Sequence, residues 1–128
     1  MGKEVLTPNA GVGQPVTFQI CIYNRSGSPQ SISFASDSFP SQWVYASCDS
    51  SDQANIQCTS DGQPNGGSVS WGPSSGSQYV LPNNADLLLF VTGSYNAAGT
   101  WCNAPGNYSL TLSTGTIGGV DRPCAVVN

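Results

Sequence analysis

Cysteine is the residue type in this 128-residue chain whose spacing most directly promises chemistry. Cys21, Cys48, Cys58, Cys102 and Cys124 lie too far apart for the paired knuckles that hold metals, so disulfides are the better reading. Spacing alone does not choose the pairing. Cys48–Cys58 would close a short polar loop, and Cys102–Cys124 would tie the penultimate strand region to the C-terminal segment. Cys21 would then be free or linked to another chain. No metal site is expected. Asp49, Asp52 and Asp61 could offer oxygen ligands to calcium, but they match no ordered calcium loop, and loop solubility explains them as well.

Acid–base and nucleophilic catalysis find little to work with. There is no histidine, which removes the Ser-His and Cys-His pairs and the usual base near neutral pH. Glu4 is the only glutamate, whereas a glycosidase needs two well-placed carboxylates. Glycine-rich phosphate loops are missing as well. The chain therefore reads as a non-enzyme without a cofactor. Lys plus Arg number 3 against 7 acidic residues, a net charge of −4, so no basic surface exists to neutralise phosphates and nucleic acid is excluded as a partner.

The aromatic residues carry two readings. Trp43, Trp71 and Trp101, with Tyr45, Tyr79 and Tyr95, could form a flat strip that stacks on sugar rings or meets a protein. Alternatively Trp43 and Trp71, which alternate with polar neighbours, fill a core, leaving Trp101 in its Gly/Asn/Pro-rich setting as the exposed ring. Two glycosylation triplets, Asn24-Arg25-Ser26 and Asn107-Tyr108-Ser109, would be usable only in a glycosylating host.

The elements that must position these residues are strands. Charged residues make up 8% of the chain, against about a quarter in an average soluble protein, yet aromatic and β-branched residues run throughout, which argues for a folded, β-rich molecule. Val16, Phe18, Ile20 and Ile22 share one parity, the signature of a half-buried strand. Ile32 and Phe34 continue the alternation before Asp37-Ser38-Phe39-Pro40 interrupts it as a turn. Trp43 and Tyr45 mark another strand, and Val69 and Trp71 a further one. The run Leu87–Val91 is apolar on both faces and predicts a central strand. Tyr108, Leu110 and Leu112 alternate again, and the tail around Ala125–Val127 can supply a last strand. About seven to nine short strands with frequent turns predict a single all-β domain over residues 1–128, an immunoglobulin-like Greek-key β-sandwich, with a closed barrel as the alternative. No apolar segment is long enough for membrane insertion, and MGKEVLT does not read as a secretion signal.

The stretch from Lys3 to about residue 47 resembles the bacterial surface repeat called domain of unknown function eleven. Lys3, Gly13, Asn24 and the Asp37-Ser38-Phe39-Pro40 segment stand where that family shows a lysine, a glycine opening a strand, a strand-closing asparagine and an Asp-x-Leu-Pro turn. From Val69 onward WGPSSGSQYVLPNNADLLLFVTG is similar in outline. The resemblance implies an immunoglobulin-like sandwich used as a spacer, stalk or assembly unit.

Related surface domains join a first-strand lysine to a last-strand Asn or Asp by an intramolecular isopeptide bond. Lys3, the only lysine, with Asp37 and Asn128, could fill those roles if the first and last strands are neighbours. The reaction needs a desolvated, neutral amine and a carboxylic acid kept protonated by the same apolar setting. The alternative is a solvated lysine, a turn aspartate and a frayed terminal asparagine.

The leading expectation is thus a non-catalytic, disulfide-stabilised structural or assembly module, located outside the cell, on a cell surface or on a virion. It would pair with other protein chains, including copies of itself, through strand edges. The second expectation is a carbohydrate-binding module using exposed aromatics.

Overall fold

A computed structural model describes residues 1–128. The chain is all-β, with one short 3-10 turn at Pro105–Asn107. Its strands are β1 (Gly2–Val5), β2 (Asn9–Ala10), β3 (Val16–Tyr23), β4 (Gln30–Phe39), β5 (Trp43–Ser50), β6 (Ile56–Ser60) and β7 (Gly67–Pro73). They continue with β8 (Tyr79–Leu81), β9 (Asp86–Tyr95), β10 (Gly99–Cys102), β11 (Tyr108–Leu112), β12 (Gly115–Gly118) and β13 (Cys124–Val127). The count exceeds the expected range because several are pieces of two to four residues, too short to leave an alternation pattern.

Two sheets face each other. One has the order β1-β3-β9-β5; the other runs β12-β11-β4-β7-β6, with β8 paired to β4. A smaller sheet, β10-β13-β2, includes a parallel pairing of Val126–Val127 with Asn9–Ala10. No helix is long and apolar enough to cross a membrane.

Alternation builds the core as the period-two pattern requires. Val16, Phe18, Ile20 and Ile22 of β3 are buried, as are Leu87, Leu89, Val91 and Tyr95 of β9 between its two neighbours. Register then carries the inward face to β1. Lys3 pairs with Ile20, and paired residues on adjacent strands point to the same side of a sheet, so the lysine enters the core beside it.

Strand β4 departs from the sequence expectation twice. Asp37-Ser38-Phe39 are not a turn; they remain in the strand, which ends at Phe39, just before Pro40. Within it, Thr111 opposes Phe34 and Leu112 opposes Ile32, so Ser33 is an extra residue and forms a β-bulge. The bulge reverses the inward parity. Ile32 stays inside, Phe34 turns to solvent, and Ala35 and Asp37 turn inward. Unbroken alternation would have placed Asp37 outside.

The segment around Trp101 also differs from the expected loop: it is strand β10, paired residue for residue with β13. The disulfides are Cys48–Cys58 and Cys102–Cys124, with Cys21 a buried free thiol. Cys48 on β5 and Cys58 on β6 belong to opposite sheets, so their bridge closes one side of the sandwich. Cys102 and Cys124 face each other directly on β10 and β13.

Candidate functional site

The interior holds one cluster of polar side chains able to react with one another. Lys3, Asp37 and Asn103 are all buried, and both Lys3 and Asp37 have fully covered side chains. Asp37 lies mid-sheet between Val69 of β7 and Tyr108 of β11. Its Oδ2 receives the Lys3 ammonium Nζ in a short contact, and its Oδ1 accepts a 2.8 Å hydrogen bond from Asn103 Nδ2. Asn103 follows the last residue of β10, and its backbone N–H donates to Pro123 O at 2.9 Å. One carboxyl group therefore joins the first strand of one sheet, the central strand of the other and the segment leaving β10. The amide Oδ1 of Asn103 is buried with no hydrogen-bond partner.

Aromatic rings wall this cluster. Nζ of Lys3 lies 4.9 Å from the Phe18 ring centre, 5.0 Å from Tyr108 and 5.1 Å from Phe39. Phe39 stacks on Trp43 with centroids 4.3 Å apart, Trp43 meets Tyr95 edge-on, and Tyr95 stacks on Trp101. Tyr108 is fixed at its far end, donating to Asp121 O at 2.7 Å and accepting from Asp121 N at 2.8 Å. The Asp121 carboxylate in turn accepts from the Lys3 backbone N–H at 2.9 Å, which covers the outer edge of β1. Gly119 is required here, because a Cβ on it would overlap the Tyr108 ring.

Desolvation sets the protonation of the pair. Burial lowers the Lys3 pKa from 10.5 to about 8, opposed by the attraction of Asp37. Burial likewise raises Asp37, opposed by Lys3 and by the hydrogen bonds it accepts. Both shifts favour the neutral amine beside the neutral acid. Tyr95 is also pushed up, first by burial and then by the charge of Asp37.

Two of the three residues expected to react thus meet, and the third does not. Asn128 is exposed, and its backbone is engaged with Ala10 and Val12 at the edge of the small sheet. Asn103 takes the expected place because β10, rather than the chain end, leads to Asp37. No sequence signal singled out Asn103 within its turn-like Asn-Ala-Pro-Gly setting; its position directly after a disulfide cysteine was the one available clue.

The remaining candidates separate. Trp43 and Trp71 are 1% and 2% exposed and fill the core, the second of the two readings, so neither can stack on a sugar and the surface strip does not form. The Trp71 Nε1 donates to Asp49 O at 2.9 Å, whereas Trp43 Nε1 is buried without a partner. Trp101 is half-buried, its ring committed to Tyr95 and its Nε1 to Ala97 O. Asn24 is also interior, with Nδ2 donating to Leu81 O and Ser28 O, so its triplet is structural. No three acidic or metal-binding residues gather. Asp52 accepts from the Tyr79 hydroxyl at 2.9 Å, and Asp61 caps its own turn through Gln63 N and Ser68 N. An apolar cleft at one end of the sandwich, lined by Ile22, Ile32, Leu81, Leu110 and Ile117, contains no carboxylate.

No family model and no curated protein matches the sequence. Solved structures do match the fold. An uncharacterised protein from Nocardia farcinica with an immunoglobulin-like fold superposes with a TM-score of 0.65 at 13% identity, covering 98% of this chain and 97% of that one. A cohesin module from a Clostridium perfringens family 33 glycoside hydrolase gives 0.64 at 10% identity over 99% and 96%. The C-terminal domain of the Streptococcus pyogenes antigen I/II-family protein AspA gives 0.62 at 14% identity, covering 98% of this chain and 45% of that one. The chain is an immunoglobulin-like β-sandwich.

Proposed function

We propose that this sandwich is a non-catalytic, load-bearing module of an extracellular assembly, such as a surface appendage, an adhesin stalk or a virion decoration. The observation that carries the reading is how the two ends of the chain are anchored. β1 is held to the opposite sheet through Lys3 and Asp37, and β13 is held to β10 by Cys102–Cys124. Asn103, the residue after Cys102, grips the same Asp37. A pull on either terminus therefore arrives at one buried carboxyl group.

Other features agree. Two disulfides suit an oxidising compartment. The fold is shared with a cohesin module and with a domain of an antigen I/II-family protein, and the sequence resemblance over residues 3–47 supports the same reading. Partner chains would add at an open edge. β12 pairs only with β11, is exposed along its length and displays Ile117 at 43% exposure, a site suited to strand addition.

The test is mechanical. Single-molecule pulling on a tandem array of the oxidised protein should show high resistance that drops when Cys102 and Cys124 are both replaced by Ala. Weak unfolding, indifferent to that replacement, would overturn the load-bearing reading.

A further inference from the structure

We propose that Lys3 and Asn103 are joined by an intramolecular amide bond, formed by the protein itself with Asp37 as the catalytic acid and base. This goes beyond the mechanical reading and stands independently of it, since the bond can be present whatever load the module carries.

The arrangement supplies each part. Lys3 Nζ, the nucleophile, rests on one oxygen of Asp37, and the Asn103 amide rests on the other. An amine attacks a carbonyl carbon only as the free base and only when held close, conditions that enclosure and a shared carboxyl group provide. Phe18, Phe39 and Tyr108 keep water away from the amine. The choice of electrophile follows from the remaining roles. Were Lys3 to attack Asp37 itself, no second acid would be left within the cluster to move protons. With Asn103 as electrophile, Asp37 stays intact and already touches both the attacking and the departing nitrogen.

The step balances within the cluster. A proton passes from the Lys3 ammonium to Asp37, giving amine and carboxylic acid. The Nζ lone pair then forms a bond to Asn103 Cγ, and the carbonyl π pair moves onto Oδ1. Asp37 gives its proton to Nδ2 and receives one from Nζ. The Cγ–Nδ2 bond breaks, the carbonyl reforms, and ammonia leaves. Asp37 ends protonated and neutral, and no oxidant, metal or added reagent is required.

An independent observation points to the product. Asn103 Oδ1 is a buried acceptor without a donor while Asp37 is a carboxylate. Such an orphan is costly in a protein interior. In the product Asp37 carries a proton that it can donate to that oxygen, so the reaction removes the defect.

Intact-mass spectrometry of the folded protein, fully reduced and then denatured, tests the proposal. The expected mass lies below the sequence value by one ammonia, about 17 Da, and fragmentation should yield one branched peptide joining Lys3 to Asn103. Lys3→Arg, Asn103→Ala and Asp37→Asn should each restore the full mass for their sequences, with circular dichroism reporting whether each has folded. A full-mass wild-type protein that is folded would overturn the proposal, whatever the variants do. A deficit of about 18 Da would also overturn it, because loss of water means a bond to Asp37. So would a deficit of about 17 Da that persists in Lys3→Arg, since ring closure at Asn65-Gly66 loses the same ammonia. The mass deficit reports the bond whether or not the module resists force, so the two proposals fail separately.

Discussion

Asp37 and Asn103, 66 residues apart in sequence, meet through a 2.8 Å hydrogen bond in the interior of the sandwich. That contact completes a cluster whose third member, Lys3, enters from the opposite sheet. Three distant segments thus depend on one carboxyl group.

Asp37→Ala should be the most damaging single substitution in the cluster. It removes the group on which the Lys3–Asn103 bond depends, so the variant keeps an unbonded buried lysine without its counter-charge and a buried amide without its acceptor. Removing one partner of such a pair costs about 3–5 kcal/mol. Urea denaturation should show a loss of that size, while Asp61→Ala, on an exposed turn, should cost far less. Equal small losses for the two would contradict the burial of the pair.

A pH effect should appear when the amine is kept from reacting. In Asn103→Ala, Lys3 remains an amine whose folded-state pKa, about 8, lies below the ordinary 10.5. Between these values the unfolded chain holds more protons, so stability rises with pH, in total by about 3 kcal/mol. Tyr79, held up to about 12 by burial and by Asp52, works in the opposite sense above its ordinary value of 10.0, because there the folded state keeps a proton that the unfolded state releases. Wild-type protein shares that tyrosine, so subtracting its curve removes the Tyr79 contribution. An amide nitrogen does not titrate, and the wild-type curve should lack the rise between about pH 8 and about pH 10. Parallel curves for the two proteins would refute the assignment.

Load should follow a short covalent route. With Lys3 bonded to Asn103 and Cys102 bonded to Cys124, the path between the ends bypasses nearly the whole domain. Pulling on the wild-type protein should therefore release almost no length. Asn103→Ala should release the chain between residues 3 and 102, apart from the loop closed by Cys48–Cys58, or about 300 Å at ordinary extended spacing. Force–extension traces distinguish these outcomes directly. A long release from the wild type would show that the route is open.

Gly93 makes room for the Trp43 ring. A Cβ there would fall on the indole and on the Val44 carbonyl oxygen, inside contact distance. Gly93→Ala must then displace an indole that also stacks on Phe39 and abuts Tyr95. Overpacking of this kind costs about 1–3 kcal/mol. Thermal denaturation should show a lowered midpoint, and tryptophan fluorescence should shift to the red as water reaches the ring. An unchanged midpoint would mean that the ring has another place to go.

The alternation of apolar and polar residues was enough to establish strands and the inward faces of β3 and β11, because a side-chain period of two is a local property of extended backbone. The cysteine set and the lack of histidine likewise bounded the chemistry without any knowledge of folding. What the linear pattern left open were the relationships that depend on register and on long-range pairing. The bulge at Ser33 turned Asp37 inward, against the parity set by Ile32 and Phe34. The pairing of Lys3 with Ile20 took a lysine near the chain end into the core. The pairing of β10 with β13 brought Asn103, rather than Asn128, to the carboxyl group. Each choice is made between segments tens of residues apart, where the packing of two whole sheets, and no neighbouring residue, determines which side chain faces which.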